Sequence, residues 1–497
     1  MEVSIIEIIL SSILNVKAIG SIIVGTSLGI FLGAMPGLGT SLGIILLLPF
    51  TYDMPMAQSI MMLVGVGIGG FYGGSIPAVL LCIPGDSPAV MTTLDGYPMS
   101  QKGEGGRALG LATVSSFIGG IFSLIVLIFT APYLVRLALE FGPAEYFALA
   151  IFGLSAIISA ASGSLLKGLS AGVFGLLIAM VGIDPIYHVP RFTFGNVYLM
   201  SGISLIPLLI GLFGLGEILI QIKQIYFKKE RVKQISNLIP TLEDLKVCFK
   251  TFVKGSAVGT FFGSLPGAGA MIGSIVSYNI NKQTSKYPEK YGTGIPEGIA
   301  ASETANNAVT GGAMIPLLSL GIPGNVQTAI LIGAFLIHGV QPGPLFFRTQ
   351  PEVIYTIYTG MFVANIYILI FGLSVVRYVP KLIEIDPRIL YPIIIILCII
   401  GSYSVSNSIF DIYIMIIFGV IGFVMRVFGF SVAPTVLGIV LGPLAEVSFR
   451  NSLALYADNP FMIFTRPMCV IIWLLTFFLL LFPYFYRRYL NTQSKLE

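Results

Sequence analysis

Glu303, Asn306 and Asn307 lie in "PEGIAASETANNAVTGGA", residues 296–313, a polar stretch set among long apolar runs. At i, i+3 and i+4 they share one face of a helix, and Pro296 and Glu297 suit its start. A carboxylate beside two amides offers oxygens to a cation and amide N–H groups to an anion. A charge at the centre of a bilayer costs about 2.5–3.5 kcal/mol or more. Glu303 inside the membrane is therefore expected to carry a proton or face a sodium ion; at a helix start on the membrane surface it would only be solvated.

A second set of residues is defined by interruption. "FLGAMPGLGTSLG" (31–43) returns as "FFGSLPGAGAMIG" (261–273). Shifted so that Pro36 falls on Pro266, residues Gly25, Gly29, Gly33, Gly37, Gly39 and Gly43 fall on Gly255, Gly259, Gly263, Gly267, Gly269 and Gly273. Composition alone would give ~0.25 such matches in that window. "YGGSIPAVLLCIPGDS" (72–87) resembles "TGGAMIPLLSLGIPGN" (310–325), with a one-residue insertion. Each unpaired backbone group costs several kcal/mol in hydrocarbon, so a Pro-Gly break persists there only against protein or a polar cavity. A helix restarting at such a break presents N–H groups and the positive end of its dipole, which suits an anion at the midplane. Thr40 and Ser41, Ser87 with Pro88, and Asn325 are the expected caps. Residues 270–271, "AM", lack the hydroxyls of Thr40 and Ser41. The spacing of Gly25, Gly29 and Gly33 predicts close helix packing.

These residues need elements to hold them. The chain has 497 residues, 56% hydrophobic and only 10% charged, against about 25% charged in soluble domains. It reads as an all-α, polytopic membrane protein of about 10–13 crossings. Residues 108–135 hold no charge and as a helix would rise ~42 Å, enough to cross with tilt. The predicted organisation is two inverted-topology repeats with broken helices or re-entrant hairpins, over 1–222 and 255–450, joined by a basic linker at 223–254. An extra C-terminal helix and tail fill 451–497. Lysines and arginines from Lys223 to Lys254, and Arg487 and Arg488 near the end, place linker and C-terminus in the cytoplasm and the N-terminus outside. The first residues carry Glu2 and Glu7 and no early basic residue, a poor signal peptide. Cys82, Cys248, Cys398 and Cys469 form no CxxC pair and read as apolar thiols. Asp95, with Lys102, Glu104 and Arg107, reads as a structural loop between spans. Nothing in the composition points to nucleic acid. A rival class, an intramembrane hydrolase using Ser75 of "GGSI" with His188 or His338, lacks a supporting constellation.

The chain resembles the large membrane subunit of tripartite tricarboxylate transporters, the TctA-type permeases. The resemblance rests on "GAMPGLGTSLG", "FYGGSIPAVLLCIPGD", "LDGYPM", "FGPAEYF", "VPRFTFGN", "SLPGAGAMIG", "PEGIAASETANNAVTGGAMIPLLSLGIPGN" and "HGVQPGP", in order over roughly 30–450. It implies ion-gradient-driven uptake of tricarboxylates or related organic acids across a prokaryotic cytoplasmic membrane. It also implies two partners, a small membrane subunit and an extracytoplasmic solute-binding protein, and no cofactor beyond a coupling sodium ion or proton. With the breaks, it makes Pro36, Gly37, Gly39, Thr40, Ser75, Pro84, Gly85, Ser87, Pro266, Gly267, Gly269, Asn306, Asn307, Pro323, Gly324 and Asn325 the candidate substrate ligands. Glu303, Asn306 and Asn307 are the candidate ion ligands. A stand-alone ion-coupled carboxylate carrier and a channel-like protein are the other readings.

Overall fold

The computed structural model describes residues 16–35, 37–160, 164–223, 238–267, 269–379 and 387–493. Pro36 and the linker residues 224–237 lie outside the described residues.

Long apolar runs in a chain with few charges become helices because every backbone group is then satisfied within its own segment. Among the described residues, seven helices are long and apolar enough to cross a membrane, and five shorter apolar ones accompany them. The only extended structure described is a ribbon, β1 (Gly182–Ile183) antiparallel to β2 (Pro190–Arg191), with Gly182 opposite Arg191. The molecule is an all-α polytopic membrane protein.

In the first half, α1 (Val16–Ala34) runs into the first Pro-Gly corner and the chain restarts as α2 (Gly39–Leu47). Helix α3 (Met56–Gly73) passes through Gly74 into α4 (Ser75–Leu81). A short turn at Ser87–Val90 and α5 (Thr92–Met99) lead to the long α6 (Gly105–Ala138). Then come α7 (Pro143–Ala160), α8 (Leu165–Ala179), the ribbon, and α9 (Leu205–Leu209) joined by a π-helical turn to α10 (Gly216–Lys223).

The second half opens with α11 (Leu242–Ser264), whose start is fixed by reciprocal Thr241 and Asp244 capping. Residues 242–254, read from the sequence as linker, are thus the first turns of a helix, with Lys246, Lys250 and Lys254 along it. After the second corner follow α12 (Gly269–Gln283), α13 (Pro296–Leu320), α14 (Val326–Ile337), α15 (Pro344–Thr349) and α16 (Pro351–Ser374). The chain closes with α17 (Pro387–Ser406), α18 (Ile409–Val427), α19 (Ala433–Leu455), α20 (Met462–Thr465) and α21 (Pro467–Gln493).

Two helices form the centre, one from each half. The first-half span is buried all round from Ser59 to Leu80, as is α13 from Gly298 to Ser319. Helix α1 lies along α3 and α11 along α13. The small residues make this possible: a Cβ on Gly25, Gly29 or Gly33 would collide with the carbonyls of Met62, Val66 and Gly70. Gly259 and Gly263 meet Ala305 and Val309 in the same way. Helix α6 covers α13, and α16 packs on α3 and α6. On the flanks the halves exchange elements: α8 packs on α19, and α18 on α9 and α10.

Candidate functional site

Both Pro-Gly corners carry the same pair of left-handed glycines. Gly37 and Gly39 have φ of 85° and 66°, and Gly267 and Gly269 have 80° and 68°. A side chain at those left-handed positions would be strained. The second break of each half is also shared. Helix α4 ends with Cys82 in the left-handed region and α13 with Gly321 there. Ile83 N–H donates to the Pro77 carbonyl at 3.3 Å, and Ile322 N–H to that of Pro316 at 3.3 Å.

In the second half the two breaks touch through main chain, Gly267 N–H donating to Gly324 O at 2.9 Å; in the first half Gly85 N–H donates to Gly74 O, at the α3–α4 junction, at 3.1 Å. A Cβ on Gly85 would strike Gly33 O, and one on Gly324 would strike Gly263 O. The structure therefore brings Gly37, Gly39 and Thr40 together with Pro84, Gly85 and Ser87, and Pro266, Gly267 and Gly269 together with Pro323, Gly324 and Asn325. The halves meet where α12 packs on the Ser87–Val90 turn and α2 on α14, and where Phe71, Ala270 and Val309 form one apolar cluster.

The polar chemistry of the two break pairs differs. Thr40 was expected to cap α2; instead its Oγ1 and N–H both donate to Asp86 Oδ2, at 2.5 and 3.2 Å. The start of α2 thus already holds an internal carboxylate. Ser87 was expected to cap its turn, but Asp86 does so, accepting Ser87 N–H at 2.8 Å. At the equivalent place Asn325 caps α14, exchanging hydrogen bonds with Thr328. Asp86 escaped the sequence reading; its alignment with Asn325 was the available signal.

Glu303, Asn306 and Asn307 are buried in the centre of α13, each 0–1% exposed. Thr92 Oγ1 donates to Glu303 Oε1, Ser116 to Oε2 at 3.4 Å and Asn306 Nδ2 to Oε2 at 3.5 Å. Asn306 Nδ2 also reaches the Phe71 carbonyl at 3.3 Å, across to α3. Asn307 Nδ2 donates to Ser116 Oγ at 2.7 Å and to the Glu303 carbonyl at 3.2 Å. The Oδ1 atoms of both Asn306 and Asn307 have no donor. Among the described residues no basic side chain pairs with Glu303. Buried oxygens without donors, beside a buried carboxyl group, are the kind of atoms that a hard cation or a proton could use. Thr92 and Ser116, on α5 and α6 of the other half, were not foreseen, because nothing local in the sequence ties them to Glu303.

Asp95 proves to be helical rather than in a loop. It is fully buried on α5. Its Oδ1 accepts the N–H groups of Gly292, Gly294 and Ile295 at 2.9, 2.8 and 3.1 Å, and its Oδ2 accepts Tyr278 OH at 2.7 Å. It pins the first half to the segment that launches α13.

Ser75 is not brought to the breaks by its side chain: its hydroxyl donates to the Tyr72 carbonyl at 2.6 Å. His338 pairs with Ser59 at 2.9 Å, and His188 lies in the loop that carries the ribbon, so the hydrolase constellation is not assembled.

The model of the family described as "Tripartite tricarboxylate transporter TctA family" matches residues 19–437. An uncharacterized 52.8 kDa protein from the TAR-I ttuC' 3' region of Agrobacterium vitis is 38% identical over 445 residues, 90% of this chain and 89% of that one. A second Agrobacterium vitis protein, from the TAR-II ttuC' 3' region, is 38% identical over 42% of this chain and 87% of its own. An uncharacterized Methanocaldococcus jannaschii protein is 27% identical over 53% of this chain and 61% of its own. No solved structure matches.

Proposed function

Because the chain belongs to the TctA family of tripartite tricarboxylate transporters, we propose that it is the large permease subunit of an ion-gradient-driven importer. Its cargo would be tricarboxylates or related organic acid anions, handed over by an extracytoplasmic binding protein. A small membrane subunit would complete the assembly in a prokaryotic cytoplasmic membrane.

The observation that carries this reading is the Glu303 cluster, a buried carboxyl group with two donorless amide oxygens beside interrupted helices. A coupling sodium ion or proton would neutralise Glu303. The Asn306 and Asn307 oxygens would serve the ion, and backbone N–H groups at the breaks would serve the substrate carboxylates. Asp86 already occupies the start of α2, so the second half, at Pro266–Gly269, is the freer end for an incoming carboxylate. Two repeats of opposite sense would supply alternating access. The matched dihedrals at both corners support the repetition that this arrangement needs.

The test is uptake into proteoliposomes holding this subunit, its small membrane partner and the purified binding protein, against a panel of di- and tricarboxylates. Uptake should follow an imposed sodium or pH gradient, and counterflow should occur without a through-current. Asn306→Ala and Asn307→Ala should each lower uptake. Unchanged uptake in both removes these amides from the site.

A further inference from the structure

We propose that the segment between α8 and α9, residues 180–204, is a preformed docking surface for a soluble protein on the extracytoplasmic face. In the other half residues 428–432 suffice to join α18 to α19. The repeat architecture therefore does not require the longer connection. It includes "VPRFTFGN", a motif that the substrate and ion sites leave unused.

The segment is built, not merely long. Asp184 is 2% exposed. Its Oδ1 accepts the N–H groups of Ile186 and Tyr187, both at 2.8 Å. It pairs with Arg450 at 2.8 Å and Arg191 at 3.3 Å, and Glu446 closes the network against Arg191 at 2.6 Å. On this base His188, Phe192 and Phe194 are held at φ of 56°, 52° and 50°. That left-handed backbone is disfavoured for bulky residues and persists only where the surroundings over-determine it. The result is to turn apolar side chains outward: Phe194 is 90% exposed, Tyr187 73% and Val197 72%. Val189 and Phe192 are 52% exposed beside them.

Two observations choose the occupant. Leu205–Lys223 is one crossing, and the positive-inside rule puts its Lys223 end in the cytoplasm, so the segment emerges outside. Its only lysine or arginine is Arg191, which is committed to Asp184 and Glu446. The segment itself therefore offers no free lysine or arginine to a phospholipid phosphate. A rigid, uncharged patch centred on aromatic side chains is the anatomy of a protein interface core. Identifying the partner as the solute-binding protein rests on the tripartite reading above.

The experiment places a photoreactive benzophenone side chain at Phe194 and, as control, at Phe477 on α21, which is 59% exposed. The transporter complex is held in nanodiscs of phosphatidylcholine and phosphatidylglycerol with its purified binding protein. An adduct of permease and binding protein from position 194, absent from position 477, is expected. Phe192→Ser with Phe194→Ser should raise the binding-protein concentration for half-maximal uptake about tenfold, with the maximal rate kept. Phe194→Ser alone, at a side chain already in the open, should act in the same direction without disturbing the fold. An adduct with phospholipid alone, or with the small membrane subunit alone, overturns the proposal. So does an unchanged half-maximal concentration while the native chain still depends on the binding protein. If binding protein fails to stimulate even the native chain, the tripartite reading falls and takes the docking surface with it.

Discussion

Glu303 sits among hydroxyls and amides with no cation beside it among the described residues. If a coupling ion neutralises this group, Glu303→Gln keeps the shape and removes the charge and the ionisable proton. Gradient-driven uptake in proteoliposomes should fall about 5- to 150-fold, the range of a typical coupling free energy, with gradient-independent exchange affected less. Ser116→Ala takes an acceptor from Asn307 and a donor from Glu303, and should weaken coupling in the same assay by a smaller factor. The Glu303, Asn306 and Asn307 face could be read from the sequence because its spacing is helical. Thr92 and Ser116 could not, since only tertiary packing carries them to that face.

Among the elements, the tie between α5 and the launch of α13 depends on one carboxylate. Asp95→Ala strands three backbone N–H groups and the Tyr278 hydroxyl. Each buried group left unsatisfied costs about 1–3 kcal/mol, so a clear drop in Tm of the purified protein is expected by thermal shift. The sequence misplaced Asp95 because "LDGYPM", with its Gly and Pro, has the composition of a turn; burial and the second half's N–H groups override that local preference. The ribbon obeys a different control. N–H groups of Tyr187 and Ile186, with Arg450, hold the Asp184 carboxyl down to about 2, from an ordinary 3.8. A depressed carboxyl contributes its full stabilisation above the ordinary value and loses it as pH falls through the folded one. Protease resistance of the ribbon should therefore be steady from neutral pH to about 4, and decline below that. Asp184→Asn should be weaker at neutral pH and lack this acid step.

Across the whole molecule, the paired breaks match in backbone but not in access. Cys82 and Ser87 are exposed, whereas Ile322 is 0% and Asn325 7% exposed at the equivalent break. If access alternates, this is one end of the cycle, and the opposite end uncovers Ile322 and Asn325. Cys82 is exposed while Cys248, Cys398 and Cys469 are buried. A small maleimide should label Cys82 in the resting protein, and saturating substrate with its driving ion should change that rate; in a Cys82→Ser background, Ile322→Cys should respond in the opposite direction. The doubled Pro-Gly pattern made the matched corners legible, because a break in hydrocarbon needs a reason that a run of leucines does not. Which break lies open was illegible, because conformation is not written in spacing. Cys82 also holds, at φ 57°, the left-handed turn that its counterpart leaves to Gly321. Cys82→Gly should therefore be tolerated or slightly stabilising, and it leaves a background silent to thiol dyes on which spectroscopic probes can be placed one at a time.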